Sequence, residues 1–524
     1  MVKWVKASVL SLYTLMMLLI MVLLLFFFPV TEFACKRVFL LPQWAMLLLG
    51  TGVLGAAIWL AMRSHGGRAR DHAPVRAVFW LGLLLVQLAF CYFSYFLTGW
   101  DAGMMLEYAH WMGVYDIVEV NNFYYSMHPN NVLITMIFAG IMRGFKFIVG
   151  GEPGIERCAF AVIAVQCVIN TMTGALCQSI ARRWTKSEAF SWMVAGTYAV
   201  FVGLSPWLMI PYTDSFSLIF PVLILWLYQR WGDRKAAAWI GIGLLSGIGY
   251  LIKPQTAIVT IALVIIEGAK LIARRGVKCM LLRLGSMLLS AALMVGPFFD
   301  AVVKRSGFEL DAQLNIGALH FAMMGLNRET NGGFSAEDEH ITLAALDKAG
   351  RTEIQLQEIR KRLEAFGPQG LLEHLKKKML TNYADGTFAW GVEGQFFDRL
   401  IEDKHPVISP LLKRWIYPDE NGDFSGFATV QQCIWLALLL GGLLSLAAYG
   451  AMKQDVAQYG LLLVMMLSVI GLTAFELIFE ARARYLLAYA PIYILLGIGG
   501  LWYGIERIRA GAGRSAGSMN RRQE

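Results

Sequence analysis

The chain has 524 residues, 57% of them hydrophobic and only 16% charged, with a formal net charge of +9. A water-soluble domain carries about 25% charged residues, and the shortfall here is gathered into apolar blocks of the roughly 17–25 residues that span a hydrocarbon core. A soluble globular domain and a single-anchor protein are both excluded. The basic excess sits in short loops between apolar blocks and forms no aromatic-and-basic strip, which argues for membrane topology and against nucleic acid.

The first block, 7–30, is too long for a signal-peptide core and no small-x-small cleavage site follows it, so it reads as a retained helix. Further blocks follow at 42–62, 77–99, 131–149, 157–181, 188–210, 214–230, 236–252, 255–273 and 281–301, and then at 429–450, 457–479 and 485–505. Between them lies one long polar stretch, 302–428. Arg63, Arg68 and Arg70, then Arg182, Arg183 and Lys186, then Arg230, Arg234 and Lys235 follow the second, fifth and seventh blocks. Lys270, Arg274, Arg275 and Lys278 precede the tenth, and Arg507, Arg509, Arg514, Arg521 and Arg522 mark the tail. All are natural cytoplasmic positions.

Counting from a cytoplasmic N-terminus and back from a cytoplasmic C-terminus agrees only if one block between 131 and 301 does not cross. The candidate is 131–149, which opens with Asn131 and contains Arg143 and Lys146. The expected fold is an all-α polytopic helical bundle of about twelve spans plus one re-entrant or interfacial helix, with one mixed extracytoplasmic loop domain. The expected division is a two-helix segment 1–76, a catalytic core 77–301 with a first external loop 99–131, the external domain 302–428, terminal helices 429–505 and a basic tail 506–524. Cys35, Cys91, Cys158, Cys167, Cys177, Cys279 and Cys433 form no CxxC pair and mostly fall in apolar blocks. They read as small core residues, not as a disulfide framework or zinc site.

Chemistry-bearing residues collect at the outer ends of the blocks. Trp100-Asp101-Ala102-Gly103 closes the third block, and Met104–Met112 after it is amphipathic enough to lie along the surface. Asp101 is either the N-cap of that surface helix or a carboxylate placed at the water–lipid boundary as general base or metal ligand. Tyr124–Asn131 concentrates hydroxyl, imidazole and carboxamide groups, including His128, Asn130 and Asn131; it suits a polar head group, and its Pro and paired Asn also suit a plain turn. Tyr212-Thr-Asp214 joins two blocks with almost no linker, so Asp214 lies near the hydrocarbon edge, where it can also cap the next helix. Lys253 ends a span either as a snorkelling lysine or as the partner of an anion. Glu480-Ala-Arg482-Ala-Arg484-Tyr485 is the densest charge cluster near a membrane face. Arginines two apart do not share a helix face, but a short loop can aim both inward, and guanidinium groups grip phosphate in a bidentate way. No P-loop, HExxH or paired CxxC is present.

Taken together these features resemble the polytopic GT-C glycosyltransferases, more narrowly the bacterial members related to family 39 protein mannosyltransferases and to Gram-positive cell-envelope sugar transferases. The resemblance covers most of the chain. Its carriers are Trp100-Asp101, Tyr-x-x-x-His-Pro-Asn-Asn at 124–131, Tyr212-Thr-Asp214, Gly249-Tyr-x-Ile-Lys-Pro254, Met323-Met-Gly-Leu-Asn327 with Gly332-Gly333, and Glu480-x-Arg-x-Arg-Tyr485.

The resemblance implies transfer of a sugar, with inversion, from a polyprenyl-phosphate donor on the outer face of a bacterial plasma membrane. Asp101 would be the catalytic base, and His128, Asn130, Asn131, Tyr212, Asp214, Lys253, Glu480, Arg482, Arg484 and Tyr485 would bind substrate. The acceptor would be a cell-envelope polysaccharide, a teichoic-acid-like polymer, a glycolipid or a protein, with stretch 302–428, including Asp385 and Trp390, shaping its side of the site. Many such enzymes carry two adjacent acids in the first loop; here Ala102 follows Asp101, so the two-acid pattern is absent, its second role falls to Asp214 or is lost, and the requirement for a divalent cation (Mg or Mn) stays open. A transporter or flippase of lipid-linked glycans would place polar groups at mid-span and show repeated halves. A surface-polysaccharide ligase or polymerase would share the outer arginines but lack an acid after the third span.

Overall fold

The computed structural model describes residues 3–27, 39–64, 73–118, 122–232, 235–272, 277–345, 347–394, 396–418, 423–452 and 456–520. Cys35, Arg68, Arg70, Arg234, Arg274, Arg275, Arg521 and Arg522 lie outside them.

The chain begins with three long apolar helices, α1 (Lys3–Phe26), α2 (Gln43–Ser64) and α3 (Ala73–Ser94). A short strand β1 (Phe96–Thr98) leads into α4 (Trp100–His110), which widens into one π-turn at Trp111–Tyr115. Then come α5 (Asn122–Met127), α6 (Asn130–Val149) and α7 (Ile155–Thr185). The shorter helices α8 (Glu188–Tyr198), α9 (Thr213–Ser217), α10 (Ile219–Trp231), α11 (Ala236–Ile252) and α12 (Ile258–Ile272) follow. After α13 (Val277–Leu293) and α14 (Phe299–Ser306), the polar stretch holds α15 (Gly317–Gly325), α16 (Ala336–Leu343), α17 (Lys348–Tyr383), α18 (Trp390–Glu393), strand β2 (Phe397–Leu400) and α19 (Ile408–Ile416). The chain closes with α20 (Ser425–Leu443), α21 (Leu446–Met452), α22 (Val456–Ile478) and α23 (Ala490–Asn520).

Nine helices among the described residues are long and apolar enough to cross a membrane. The blocks expected at 188–210, 214–230 and 255–273 appear instead as helices of 11, 13 and 15 residues, while 236–252 is α11 with the expected bounds. Local chemistry explains the shortening. After α8 the chain loosens into a π-turn at Ala199–Gly203 and then tightens into a 3-10 turn opened by Pro206. Pro254 supplies no amide hydrogen and forces Lys253 into extended backbone, so α11 stops at Ile252.

Contacts between helix ends fix the register of the bundle. Arg76 in the first turn of α3 pairs with Glu188 in the first turn of α8 at 2.7 Å. At the opposite end of α3, Tyr95 donates to the Glu156 carbonyl at the start of α7. Helix α6 runs beside α4 and its π-turn, with Arg143 donating to the Met112 carbonyl at 2.9 Å and Lys146 to that of Val114. Its first residues touch α5, where Asn131 donates to the Tyr124 hydroxyl at 2.6 Å. Its last residue reaches α7 through Gly150–Gly154 alone, so the C-terminal end of α6 lies at the Tyr95 end of α3.

Several polar groups inside the bundle pair with one another, as a low-dielectric interior favours. Gln87 donates to Asn170 at 2.9 Å and to the Gly203 carbonyl at 2.7 Å, and Trp80 donates to Gln178 at 2.8 Å. Cys91 and Cys167 are buried free thiols 3.9 Å apart, and Cys279 is exposed. Helices α20 and α23 touch backbone to backbone: a Cβ at Gly500 would stand 1.8 Å from the Gly441 oxygen.

The polar stretch is mainly helical and is stitched to the bundle. Strand β2 pairs antiparallel with β1, matching Phe96 to Leu400 and Thr98 to Phe397. Trp207 donates to the Thr387 carbonyl and Trp435 to that of Tyr383.

Candidate functional site

The site is assembled where β1 ends. Gly99 is the cap position of α4, and Trp100 takes a left-handed φ of 49°. Gly103 lets the first turn of α4 settle on the strand, since a Cβ there would stand 2.0 Å from the Thr98 oxygen. Asp101 is therefore in the first turn of α4 and makes no capping hydrogen bond. This corrects the capping alternative, and also the idea that Asp101 follows the third span directly: α3 stops at Ser94, and the strand that pairs with β2 intervenes. The carboxylate is left partly exposed, its contact being the Tyr212 hydroxyl, a weak donor at 3.5 Å.

Asp214 likewise does not cap: the cap position of α9 is Tyr212, and Asp214 lies in the helix's first turn, 1% exposed. It pairs instead with Lys253, which ends α11 against the rings of Tyr212 and Tyr485. Lys253 is buried and does not snorkel. On the loop between α22 and α23, Arg482 is extended and Arg484 sits in the 3-10 turn Ala483–Tyr489, which is how residues two apart turn toward one place. Arg482 pairs with Glu480 at 2.6 Å, and both arginines pair with Glu393, at 3.0 and 2.7 Å. Arg484 also lies 4.5 Å over the Trp100 ring, a cation–π contact. Its Nε stands 3.7 Å from Asp214 and, among the described residues, is a buried donor with no hydrogen bond. Tyr485 donates to Glu480 at 2.6 Å.

These groups face one cavity of about 380 Å³. Asp101, His128, Asn130, Asn131, Tyr212, Lys253, Glu480, Arg482, Arg484 and Tyr485 all line it, and Asp214 stands behind Lys253. Five separate sequence segments thus converge. Asn130 and Asn131 form part of a short relay, Asn130 donating to Asn131 and Asn131 to Tyr124.

The polar stretch supplies the opposite wall: His320, Phe321, Met324, Phe334 and Glu339. His320 is anchored by Thr342 at 2.7 Å, and burial pushes its imidazole down to about 4. Burial likewise lowers His128, against the pull of Asp101, so both rings are neutral near pH 7. Burial alone would raise Glu480, but Arg482 beside it and the Tyr485 hydroxyl hold it below the ordinary carboxylate range.

Sequence reasoning missed Glu393, the carboxylate that joins the two arginines. It has no motif; its one signal is position, just past the conspicuous run 385–390. Asp385 and Trp390, expected on the acceptor side, are buried and hold that run in shape. Asp385 accepts from the Thr387 amide and hydroxyl and from the Ala389 amide, and Trp390 donates to the Ile416 carbonyl at 2.7 Å. Among the described residues no three His, Cys, Asp or Glu side chains are grouped to hold a metal ion. Asp214, Glu393 and Glu480 are already engaged by cations. The donor set therefore does not fit a divalent cation.

A family model described as "Conserved hypothetical integral membrane protein" matches residues 68–499. The chain belongs to this family. The matched region of this integral membrane protein includes every cavity residue, from Asp101 to Tyr485. No curated protein matches it. Among solved structures, ArnT from Cupriavidus metallidurans bound to undecaprenyl phosphate shares 13% identity, with 82% of this chain and 78% of that chain covered and a TM-score of 0.31. A TM-score that low establishes no common fold.

Proposed function

We infer that this integral membrane protein is a GT-C-type glycosyltransferase that takes a sugar from a polyprenyl-phosphate donor and passes it, with inversion, to a cell-envelope acceptor. The observation that carries the reading is the cavity's composition: a partly exposed Asp101 with one weak partner faces two arginines whose positions are already fixed by Glu393 and Glu480. The buried, unbonded Arg484 Nε is the donor that an incoming phosphate oxygen would satisfy.

Asp101 takes the proton from an acceptor hydroxyl as its oxygen attacks the anomeric carbon. The bond from that carbon to the phosphate oxygen breaks on the far side, and polyprenyl phosphate departs with the electron pair. Arg482 and Arg484 meet the charge that grows on it. Because Glu393 and Glu480 hold the guanidinium groups before donor arrives, little reorganisation is needed at the moment of reaction. Lys253, tied to Asp214, lines the same wall.

In the membrane, the reading places α1, α2, α3, α7, α8, α10, α11, α12, α13, α20, α22 and α23 across the bilayer and α6 along its outer surface beside α4. The cavity then opens on the extracytoplasmic side of a bacterial plasma membrane, where the acceptor polymers or proteins are. The experiment is release of polyprenyl phosphate from a panel of polyprenyl-phosphate sugars by purified protein, with the product anomer read by NMR. Release with inverted configuration is expected for at least one donor. Retained configuration, or donor binding without release across the panel, would overturn the proposal.

A further inference from the structure

The glycine-rich run Met323–Gly333 takes no part in the reaction above, yet it meets the membrane helix from which the arginines hang. Helix α22 ends at Ile478, and the last carbonyls of any helix lack an internal partner. Here the ammonium of Lys378, on α17 and 0% exposed, supplies it. Its Nζ donates to Leu477 at 2.9 Å and Phe479 at 2.7 Å on that helix end, and to Gly325 at 2.8 Å at the end of α15. An ammonium has three hydrogens and here all three are used.

Two glycines allow this approach. A Cβ at Gly325 would stand 2.5 Å from the Phe479 oxygen; one at Gly332, where φ is 82°, would stand 2.8 Å from the Lys378 Cε. Asn327 shapes the turn between them by accepting from the amides of Glu329 and Thr330, and the Gly332 carbonyl receives the Ala481 amide at 2.8 Å. Ala481 is the residue between Glu480 and Arg482.

We propose that Lys378 is a positioning residue: its ammonium clamps the end of α22 to the turn 325–333 and thereby sets where Arg482 and Arg484 stand. Its link to the donor rests on the function proposed above; the clamp itself does not. The clamp is complete only while the amine is charged, because a neutral amine has two hydrogens for three carbonyls. Burial pushes Lys378 down to about 7, against the pull of Glu476 on α22 and Glu480 on the loop. His374 on its own helix shares the Gly325 carbonyl, at 2.9 Å, and burial lowers that ring too, so it is neutral and adds no competing charge near pH 7. Lys377 and Arg328 are cations that act on His374, and Arg362 on α17 also meets α15, donating to the Met323 carbonyl at 2.8 Å. As pH rises through about 7, one of the three carbonyls loses the lysine donor; Gly325 still has His374, whereas Leu477 and Phe479 on the end of α22 depend on the lysine. A lost buried partner shifts an equilibrium by about 5- to 150-fold.

The test uses the full chain in detergent and has two arms. Hydrogen–deuterium exchange at Ala481 is followed from about pH 6 to about pH 9, corrected for the intrinsic pH dependence of exchange. Protection is expected to fall by about tenfold above neutrality in the wild type, while Lys378→Arg, charged throughout, keeps it. Protection that stays level in the wild type overturns the proposal without reference to any donor. In the second arm, Lys378→Met is expected to weaken polyprenyl phosphate binding by about tenfold or more, with the charge-retaining Lys378→Arg nearer the wild type. Wild-type affinity in a folded Lys378→Met protein would also overturn it. Should Lys378→Met fail to fold, the exchange arm on the wild type decides. A wild type that binds no polyprenyl phosphate defeats the donor reading and leaves the clamp to the exchange arm.

Discussion

At the residue scale, the arginine pair is held by carboxylates and not by solvent, and this makes its behaviour specific. Arg484→Lys keeps a charge but loses the planar fork, so donor affinity is expected to fall, and to fall further in Arg484→Ala; titration with polyprenyl phosphate measures both. Equal affinity in all three proteins would remove phosphate recognition from this loop. Glu393→Gln leaves two neighbouring guanidinium groups short of their shared anion. Breaking a buried pair on one side costs about 3–5 kcal/mol, so its Tm is expected to drop well below that of Glu339→Gln, at a less buried position on the opposite wall. His320 gives a pH signature. Its folded value, about 4, lies below the ordinary 6.5, so the unfolded chain binds the extra proton first. Its contribution to stability is intact above about pH 6.5 and is lost as pH falls toward about 4. A thermal-shift series across that range is expected to slope downward toward acid in the wild type and less steeply in His320→Gln. Identical slopes would mean that His320 does not set the acid limb.

At the scale of elements, the sequence singled out residues that converge on one cavity, while it misjudged several of the elements around them. Asp101, Tyr212, Lys253, Arg482 and Arg484 stood out because ionisable groups at the ends of apolar blocks are costly without a purpose, and all of them line the cavity. What hydropathy could not show is where an apolar run is broken. The π-turn at Ala199–Gly203 interrupts the block 188–210, and the 3-10 turn at Pro254–Ala257 takes the first residues of the block 255–273. Glu393 was illegible because it reaches the arginines from α18, far away in the chain, through a contact that no local pattern encodes. Strand β1 was illegible for the same reason: its three residues are held as a strand by β2. That pairing also carries a prediction. Replacing Leu97 with Pro deletes an amide hydrogen from the ribbon that delivers Trp100 and Asp101. Transfer is expected to fall sharply with the helical circular dichroism unchanged. Wild-type transfer would show that the ribbon does not position Asp101.

At the scale of the whole molecule, the claim with the widest consequences is that α6 lies on the outer surface. If it crossed, α4 and α7 would stand on opposite sides of the bilayer, although Tyr95 and Glu156 meet. A membrane-impermeant maleimide applied to intact cells is expected to label Glu152→Cys and Glu353→Cys, while the native exposed Cys279 reacts after permeabilisation. Glu152→Cys shielded until permeabilisation would contradict this topology. The central claim, however, is that Asp101 is a general base facing a phosphate-binding loop. Its most direct test is sugar transfer from purified polyprenyl-phosphate donor in detergent by Asp101→Asn, with donor binding measured on the same preparation. Folding and donor affinity are expected to be unchanged, with transfer lower by about 10²–10⁴-fold. Near-normal transfer by Asp101→Asn would contradict it.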